Sequence, residues 1–175
     1  MKIAGIVLAG GLSSRMGQDK AKLKLDAQSL LNRAVLLLED INLDQVFVSG
    51  NYPNYNSIVD IHLEFGPIGG LHACVDKLIE NYDAIFILPV DMPLISKPQC
   101  DLLLAEFKQH PEGVFFGSVT FPMLLPLNLS LKKYLEEVLV STEKKQRSLY
   151  RLLKSLKIHS VNYNSQQQFR FQNSN

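Results

Sequence analysis

The chain has 175 residues, 46% hydrophobic and 20% charged, with a formal net charge of +1. This is soluble globular composition, and one domain spanning residues 1–175 buries about 70% of its extended-chain surface at this size. A near-neutral balance gives no field for gripping nucleic acid, no apolar run reaches the ~18 residues of a membrane span, and the N-terminus lacks the layout of a secretory signal.

Cys74 and Cys100 have no metal spacing and read as buried thiols of a reducing cytoplasm. A soluble cytoplasmic protein without nucleic-acid or membrane partners is therefore expected. The four histidines (His62, His72, His110 and His159) are scattered, and each reads as a surface or satisfied residue rather than a ligand.

Ile3, Ala4, Ile6, Val7 and Leu8 predict a first strand buried on both faces. It breaks at Gly10-Gly11, where the backbone can take positive φ and an anion can come close. Ser13, Ser14, Arg15, Gly17, Asp19 and Lys20 follow. Backbone N–H groups in such a turn, backed by Arg15 and Lys20, form a concave site for a chain of phosphates. Taken alone, the glycine pair reads equally well as an ordinary turn with solvated cations. The stretch is neither a Walker loop, which needs Gly-Lys-Ser/Thr after four residues, nor the dinucleotide fingerprint, which needs G-x-G-x-x-G.

Lys20 to Leu25 predicts a brief extended piece ending at Asp26. Leu30, Leu31, Ala34, Val35, Leu37 and Leu38 recur at helical spacing, and Gln45 to Ser49 is the next strand. Strand, helix and strand spell a parallel crossover. Tyr52 to Asn56 is turn chemistry, Ile58 to Ile61 is a short apolar piece, and Gly66-Pro67-Ile68-Gly69-Gly70 leads into a helix running from about Leu71 to Asn81. That helix start offers unpaired N–H groups to a ligand above it, although a plain Gly-Pro turn accounts for the segment equally well.

Ala84 to Val90 is the most apolar stretch and predicts the central parallel strand. Asp91 follows at its carboxyl end, where ligands bind in open α/β sheets. A lone carboxylate there suits Mg²⁺, which takes one or two protein oxygens and completes its shell with phosphate and water. A capping Asp ahead of Met92-Pro93 is the structural alternative. Ser96 and Pro98 read as the N-cap and first turn of a further helix with Leu102, Leu103, Leu104, Ala105 and Phe107 on its apolar side. Strands are predicted at Val114 to Gly117, Met123 to Leu127 and Ile158 to Tyr163, with a helix over Leu131 to Leu139. Glu143 to Arg147 is a charged patch that reads either as a solvated helix start or as a contact for a substrate phosphate.

Leu8-Ala9-Gly10-Gly11, Ser13, Arg15-Met16-Gly17 and Asp19-Lys20, together with Gly66-Pro67-Ile68-Gly69-Gly70 and the strand-Asp91-x-Pro pattern, resemble the molybdenum cofactor guanylyltransferases of the nucleotidyltransferase superfamily. The resemblance implies an α/β fold: a single-domain three-layer sandwich with a mostly parallel, Rossmann-like sheet and helices on both faces, of the nucleotide-diphospho-sugar transferase type. It implies transfer of GMP from Mg-GTP to molybdopterin, with release of pyrophosphate. GTP would then be bound by Leu8, Ala9, Gly10, Gly11, Lys20, Asp60 and Asp91, and Mg²⁺ by Asp91. Cofactor-biosynthesis proteins or acceptor molybdoenzymes are the implied protein partners.

This chain departs from the family pattern at three places. Ser49 stands where the family often has a nucleotide-contacting Asn, which leaves Asn51 as a substitute. Phe121 precedes Pro122 where a polar or basic residue is usual. Phe169 to Asn175, including the candidate site residue Asn173, matches a segment that leads into a last helix in the family, and this sequence stops at Asn175.

The implied reaction needs no acid–base pair, because a phosphate monoester is already largely a dianion at neutral pH. It needs in-line positioning and neutralisation of phosphate charge, assigned to the catalytic residues Arg15, Lys20 and Asp91. Two alternatives follow. One is a cytidylyltransferase acting on the same cofactor, against which Gly10 stands where that type usually has Ala. The other is a non-catalytic nucleotide-binding homologue, against which the retained Arg15, Lys20 and Asp91 stand. Sugar-phosphate nucleotidyltransferases are usually longer chains with an added acceptor domain.

Overall fold

The computed structural model describes residues 1–9, 20–25 and 27–162. Gly10, Gly11, Arg15 and the rest of the first glycine loop lie outside the described residues, as does Phe169 to Asn175 with Asn173.

Seven strands form one sheet in the order β5-β4-β1-β6-β8-β7-β9. They are β1 (Ile3–Leu8), β4 (Gln45–Ser49), β5 (Ser57–Ile58), β6 (Ala84–Pro89), β7 (Val114–Phe116), β8 (Met123–Pro126) and β9 (His159–Val161). β1 pairs in parallel with β4 on one side and β6 on the other, β4 with β5, and β7 with β9. Only β8 runs against its neighbours, β6 and β7. The sheet is thus mostly parallel, and β6 is its middle strand, as its continuous apolar run predicts.

The pleat sends alternate residues of the central strands into two cores. Ala84, Phe86 and Leu88 of β6, with Ile3 and Val7 of β1, join α1 (Leu30–Asp40) and α3 (Lys97–Gln109). Ile85 and Ile87, with Ala4, Ile6 and Leu8, join α2 (Pro67–Leu78), α4 (Leu129–Val140) and α5 (Leu149–Ser155). Helices cover both faces, which gives the three layers of the expected α/β architecture. No helix among the described residues is long and apolar enough to cross a membrane.

Local chemistry sets the helix starts. The Ser29 hydroxyl accepts the Asn32 N–H at 3.1 Å to begin α1, and Asn128 Oδ1 accepts the Leu131 N–H at 2.9 Å to begin α4. Gln99 reaches back to accept the Ser96 N–H at 2.9 Å, half of a capping box at the start of α3.

Three sequence expectations shift. Helix α2 begins at Pro67 rather than near Leu71, because proline suits the first helical turn and Gly66, at φ 57°, supplies the turn that enters it. Residues Lys20 to Leu25 are not one extended piece: Lys20–Lys22 is a 3₁₀ turn, and Lys24–Leu25 (β2) pairs antiparallel with Gln28–Ser29 (β3). The apolar piece at Ile58 to Ile61 contributes only Ile58 to the core, since β5 ends there and leaves Val59 and Ile61 exposed.

Candidate active site

The carboxyl ends of β4, β1 and β6 are laced into one rim. Ala9 N–H donates to the Ser49 carbonyl at 3.2 Å, and Val90 N–H donates to the Leu8 carbonyl at 3.0 Å. Asp91 is therefore held directly beyond the two central strands, one strand spacing from the point where the chain leaves β1 for the glycine loop. Leu8 and Ala9 are buried, so their side chains build the floor while their backbone starts the loop.

Lys20, the first described residue after that loop, brings its Nζ to 3.2 Å from Asp91 Oδ2. The buried Ala21 next to it anchors the return of the loop in the core under α1. Both partners of the Lys20–Asp91 pair have half-exposed side chains, so the pair is open to solvent and to a ligand. An exposed ion pair of this kind contributes about 0–1 kcal/mol to stability. The carboxylate offers hard oxygen donors at a strand end facing a cation, a donor set that suits Mg²⁺ rather than a softer metal.

Asp60 sits elsewhere on the same rim, two residues beyond β5. It is buried, and its Oδ1 accepts the His62 N–H at 2.7 Å. Its Oδ2 packs against Gly69 in the first turn of α2, where a Cβ would come within 2.9 Å of that oxygen and 2.4 Å of the His62 carbonyl. Glycine at 69 is what lets the carboxylate approach the helix N-terminus, whose partial positive charge favours it. Asp60 and Asp91 are separated by the width of β5-β4-β1-β6, three strand spacings or about 14 Å. The structure thus brings Lys20 and Asp91 together and sets Asp60 apart at the far end of one rim.

Ser49 and Asn51 separate cleanly. Ser49 is 1% exposed, and a Cβ on Gly70 would lie 2.7 Å from its hydroxyl oxygen, so α2 covers it. Asn51 is exposed, just past the strand end. Beneath Ser49 lies Cys74, whose thiol is pushed up to about 12 chiefly by burial, with the Ser49 hydrogen bond opposing. Cys100 is likewise pushed up to about 12 by burial. Neither is a nucleophile, and both are the buried thiols the sequence predicts.

Two contacts at the rim were not legible in the sequence. The Tyr52 hydroxyl donates to the Ala9 carbonyl at 3.2 Å, fixing the last residue before the glycine loop from 43 positions away. Tyr52 reads as turn chemistry in the sequence, and no local pattern marks it. Arg147, in the charged patch after α4, lays its guanidinium 3.8 Å from the centre of the Phe65 ring. The patch is thus more than a solvated helix start, because one of its cations clamps the segment leading into Gly66. Beside Asp91, a cavity of about 380 Å³ opens between Met92, Pro93, Leu94, Phe116 and Val119, with Gln99 and Ser118 as polar groups.

A family model described as a MobA-like NTP transferase domain matches residues 5–161. A molybdenum cofactor guanylyltransferase of Xanthomonas euvesicatoria pv. vesicatoria is 40% identical over 171 residues, covering 98% of this chain and 88% of the relative. The fold is shared with molybdopterin-guanine dinucleotide biosynthesis protein A from Archaeoglobus fulgidus (TM-score 0.64, 18% identity, 98% of this chain and 87% of that one). It is shared also with Rv0371C of Mycobacterium tuberculosis in its complex with manganese (TM-score 0.63, 13% identity, 93% and 88% covered).

Proposed function

This chain belongs to the family of MobA-like NTP transferases, and on that premise we propose that it transfers GMP from GTP to the terminal phosphate of molybdopterin. Residues 1–175 act as one nucleotidyltransferase domain in this reading. The observation that carries it is the Lys20–Asp91 pair, open to solvent and seated beyond the two central strands.

GTP lies along the rim, with its triphosphate over the ends of β1 and β6 and its guanosine toward Asn51 and Asp60. The three strand spacings between Asp91 and Asp60 suit a ligand with a charged end and a nucleoside end. Leu8 and Ala9 set the start of the glycine loop, and the sequence motif assigns Gly10, Gly11 and Arg15 to the phosphates. The buried Asp60 carboxylate accepts hydrogen bonds from donors of the nucleoside. The apolar cavity beside Asp91 receives the acceptor, whose fused rings need flat apolar walls and a few polar anchors such as Gln99 and Ser118.

In the chemical step a terminal phosphate oxygen of the acceptor attacks the α-phosphorus of GTP. The bond from that phosphorus to the β-phosphate bridging oxygen breaks, and pyrophosphate leaves. The attacking phosphate is already a dianion in large part, so no base is required. Lys20 and Arg15 neutralise charge that grows on the transferring and leaving groups, and the fixed strand ends hold the two substrates in line. Asp91 is the residue that would hold Mg²⁺, which would supply further neutralisation of phosphate charge.

The test is pyrophosphate release from GTP and from CTP, each with Mg²⁺ and molybdopterin. Release with GTP that is abolished by omitting molybdopterin supports the proposal. Release with CTP in preference overturns the guanine assignment, and release with neither overturns catalysis.

A further inference from the structure

We propose that Glu106, His110 and His159 form a binding site for a transition-metal dication of the Zn²⁺ type, at the end of the sheet away from Asp91. One donor atom from each of the three lies within 4.8 Å of the other two, and all three residues are half-buried. The site joins two elements far apart in sequence: the last turn of α3 and the first residue of the edge strand β9.

The backbone fixes this meeting. His110 N–H donates to the Glu106 carbonyl at 2.9 Å, closing the last helical turn and holding the capping residue His110 over Glu106 at the carboxyl end of α3. His159 is paired with Val114 at the start of β7, and its N–H donates to the Gly113 carbonyl at 2.9 Å. Both attachments leave the side chains facing each other across the start of β7. The carboxyl end of the 13-residue helix α3 adds a partial negative charge that favours a cation.

The two imidazoles are stacked face to face, with centroids 3.5 Å apart and planes 4° from parallel. Glu112 Oε1 lies 3.2 Å from His110 Nδ1. A carboxylate on one ring nitrogen is the arrangement that orients a metal-binding histidine, with the lone pair left on Nε2.

Donors around a tetrahedral Zn²⁺ lie about 3.3 Å apart, so closing from the present spacing takes side-chain rotation that unstacks the rings. Two imidazoles and one carboxylate, with water as fourth ligand, select Zn²⁺, Co²⁺ or Ni²⁺ over Mg²⁺. A cation here ties the edge strand β9 to α3, and its binding stabilises the folded chain by linkage.

The experiment uses the full chain stripped with EDTA and dialysed. Calorimetric titration with Zn²⁺ alone is expected to show one equivalent bound and a rise in Tm. Titration with Co²⁺ alone is expected to give the intense visible absorption of a four-coordinate ion. His159→Ala and Glu106→Gln each remove one of only three protein ligands and should abolish stoichiometric Zn²⁺ binding in the titration, with the metal-free variants still folded by circular dichroism. Should His159→Ala fail to fold, His110→Gln carries the same test. Absence of stoichiometric Zn²⁺ binding overturns the proposal, as does binding that survives both histidine substitutions unchanged.

Discussion

The two ends of the parallel strands use the same residue, aspartate, in opposite settings. At the amino ends, Asp44 accepts the Ile3 N–H at 2.7 Å and Asp83 accepts the Lys2 N–H at 2.5 Å. These carboxylates satisfy the first donors of β1, which no strand neighbour reaches. At the carboxyl ends, Asp91 faces a lysine side chain in half-exposed surroundings, and Asp60 is tucked against a glycine turn. At the amino end both carboxylates complete backbone hydrogen bonding of the strand start. At the carboxyl end Asp60 also accepts a backbone N–H, from His62, while Asp91 pairs with a side chain alone and is the one the proposed function gives to a ligand. On the proposed function, stability and catalysis separate along the strand axis, and substitutions should pull them apart.

The largest separation is expected at Asp91. Asp91→Asn should cut pyrophosphate release by about 10²–10³, the usual cost of losing one preorganised electrostatic group, while Tm hardly moves because the pair it breaks is solvent-exposed. Lys20→Ala should behave in the same way. Steady-state assays beside thermal melts check both, and an unaltered rate at low Mg²⁺ would contradict the metal assignment.

Asp44→Ala is the mirror experiment. It removes a charge-assisted acceptor from a part-buried strand end, so denaturant unfolding should show a loss of about 1.5–3 kcal/mol, with turnover per folded molecule unchanged. A rate defect larger than the folded fraction accounts for would erase the contrast between the two ends.

Gly69→Ala tests the middle ground. A methyl group there meets the His62 carbonyl and the Asp60 carboxylate, so it should cost about 1–3 kcal/mol as overpacking and raise the KM for GTP through displacement of Asp60. A rise in KM without a loss of kcat sharpens the view that Asp60 binds the nucleoside.

The smallest effect belongs to Tyr52→Phe. Losing one hydrogen bond to the Ala9 carbonyl costs about 0.5–1.5 kcal/mol, and turnover should fall by only a few fold as the start of the glycine loop loosens. Kinetics of the variant at saturating GTP would read this directly.

Much of the fold was legible because its signals are local. The runs at Ile3 to Leu8 and Ala84 to Val90 mark buried strands by hydrophobicity alone, and Ser96 with Pro98 marks the start of α3 by side-chain chemistry, whereas the caps at Ser29 and Asn128 emerge only in the structure. The start of α2 lies earlier than the sequence predicts because Gly66 to Gly70 has the composition of a turn, whereas Pro67 suits a first helical turn and Gly69 and Gly70 let that turn pack closely against Asp60 and Ser49.

By itself the sequence determined a parallel α/β sheet, the place of Asp91 at the end of its central strand, and the family motifs around it. Those are properties of consecutive residues, written in periodicity and in short-range steric and hydrogen-bonding preferences. Tertiary structure alone decided that Lys20 meets Asp91 across 71 positions, that Ser49 turns inward while Asn51 stays out, that Arg147 covers Phe65, and that His110 stacks on His159. Each of these depends on which strands become neighbours and on how helices pack over them, a choice made by burial of the whole apolar surface and not encoded in any one segment.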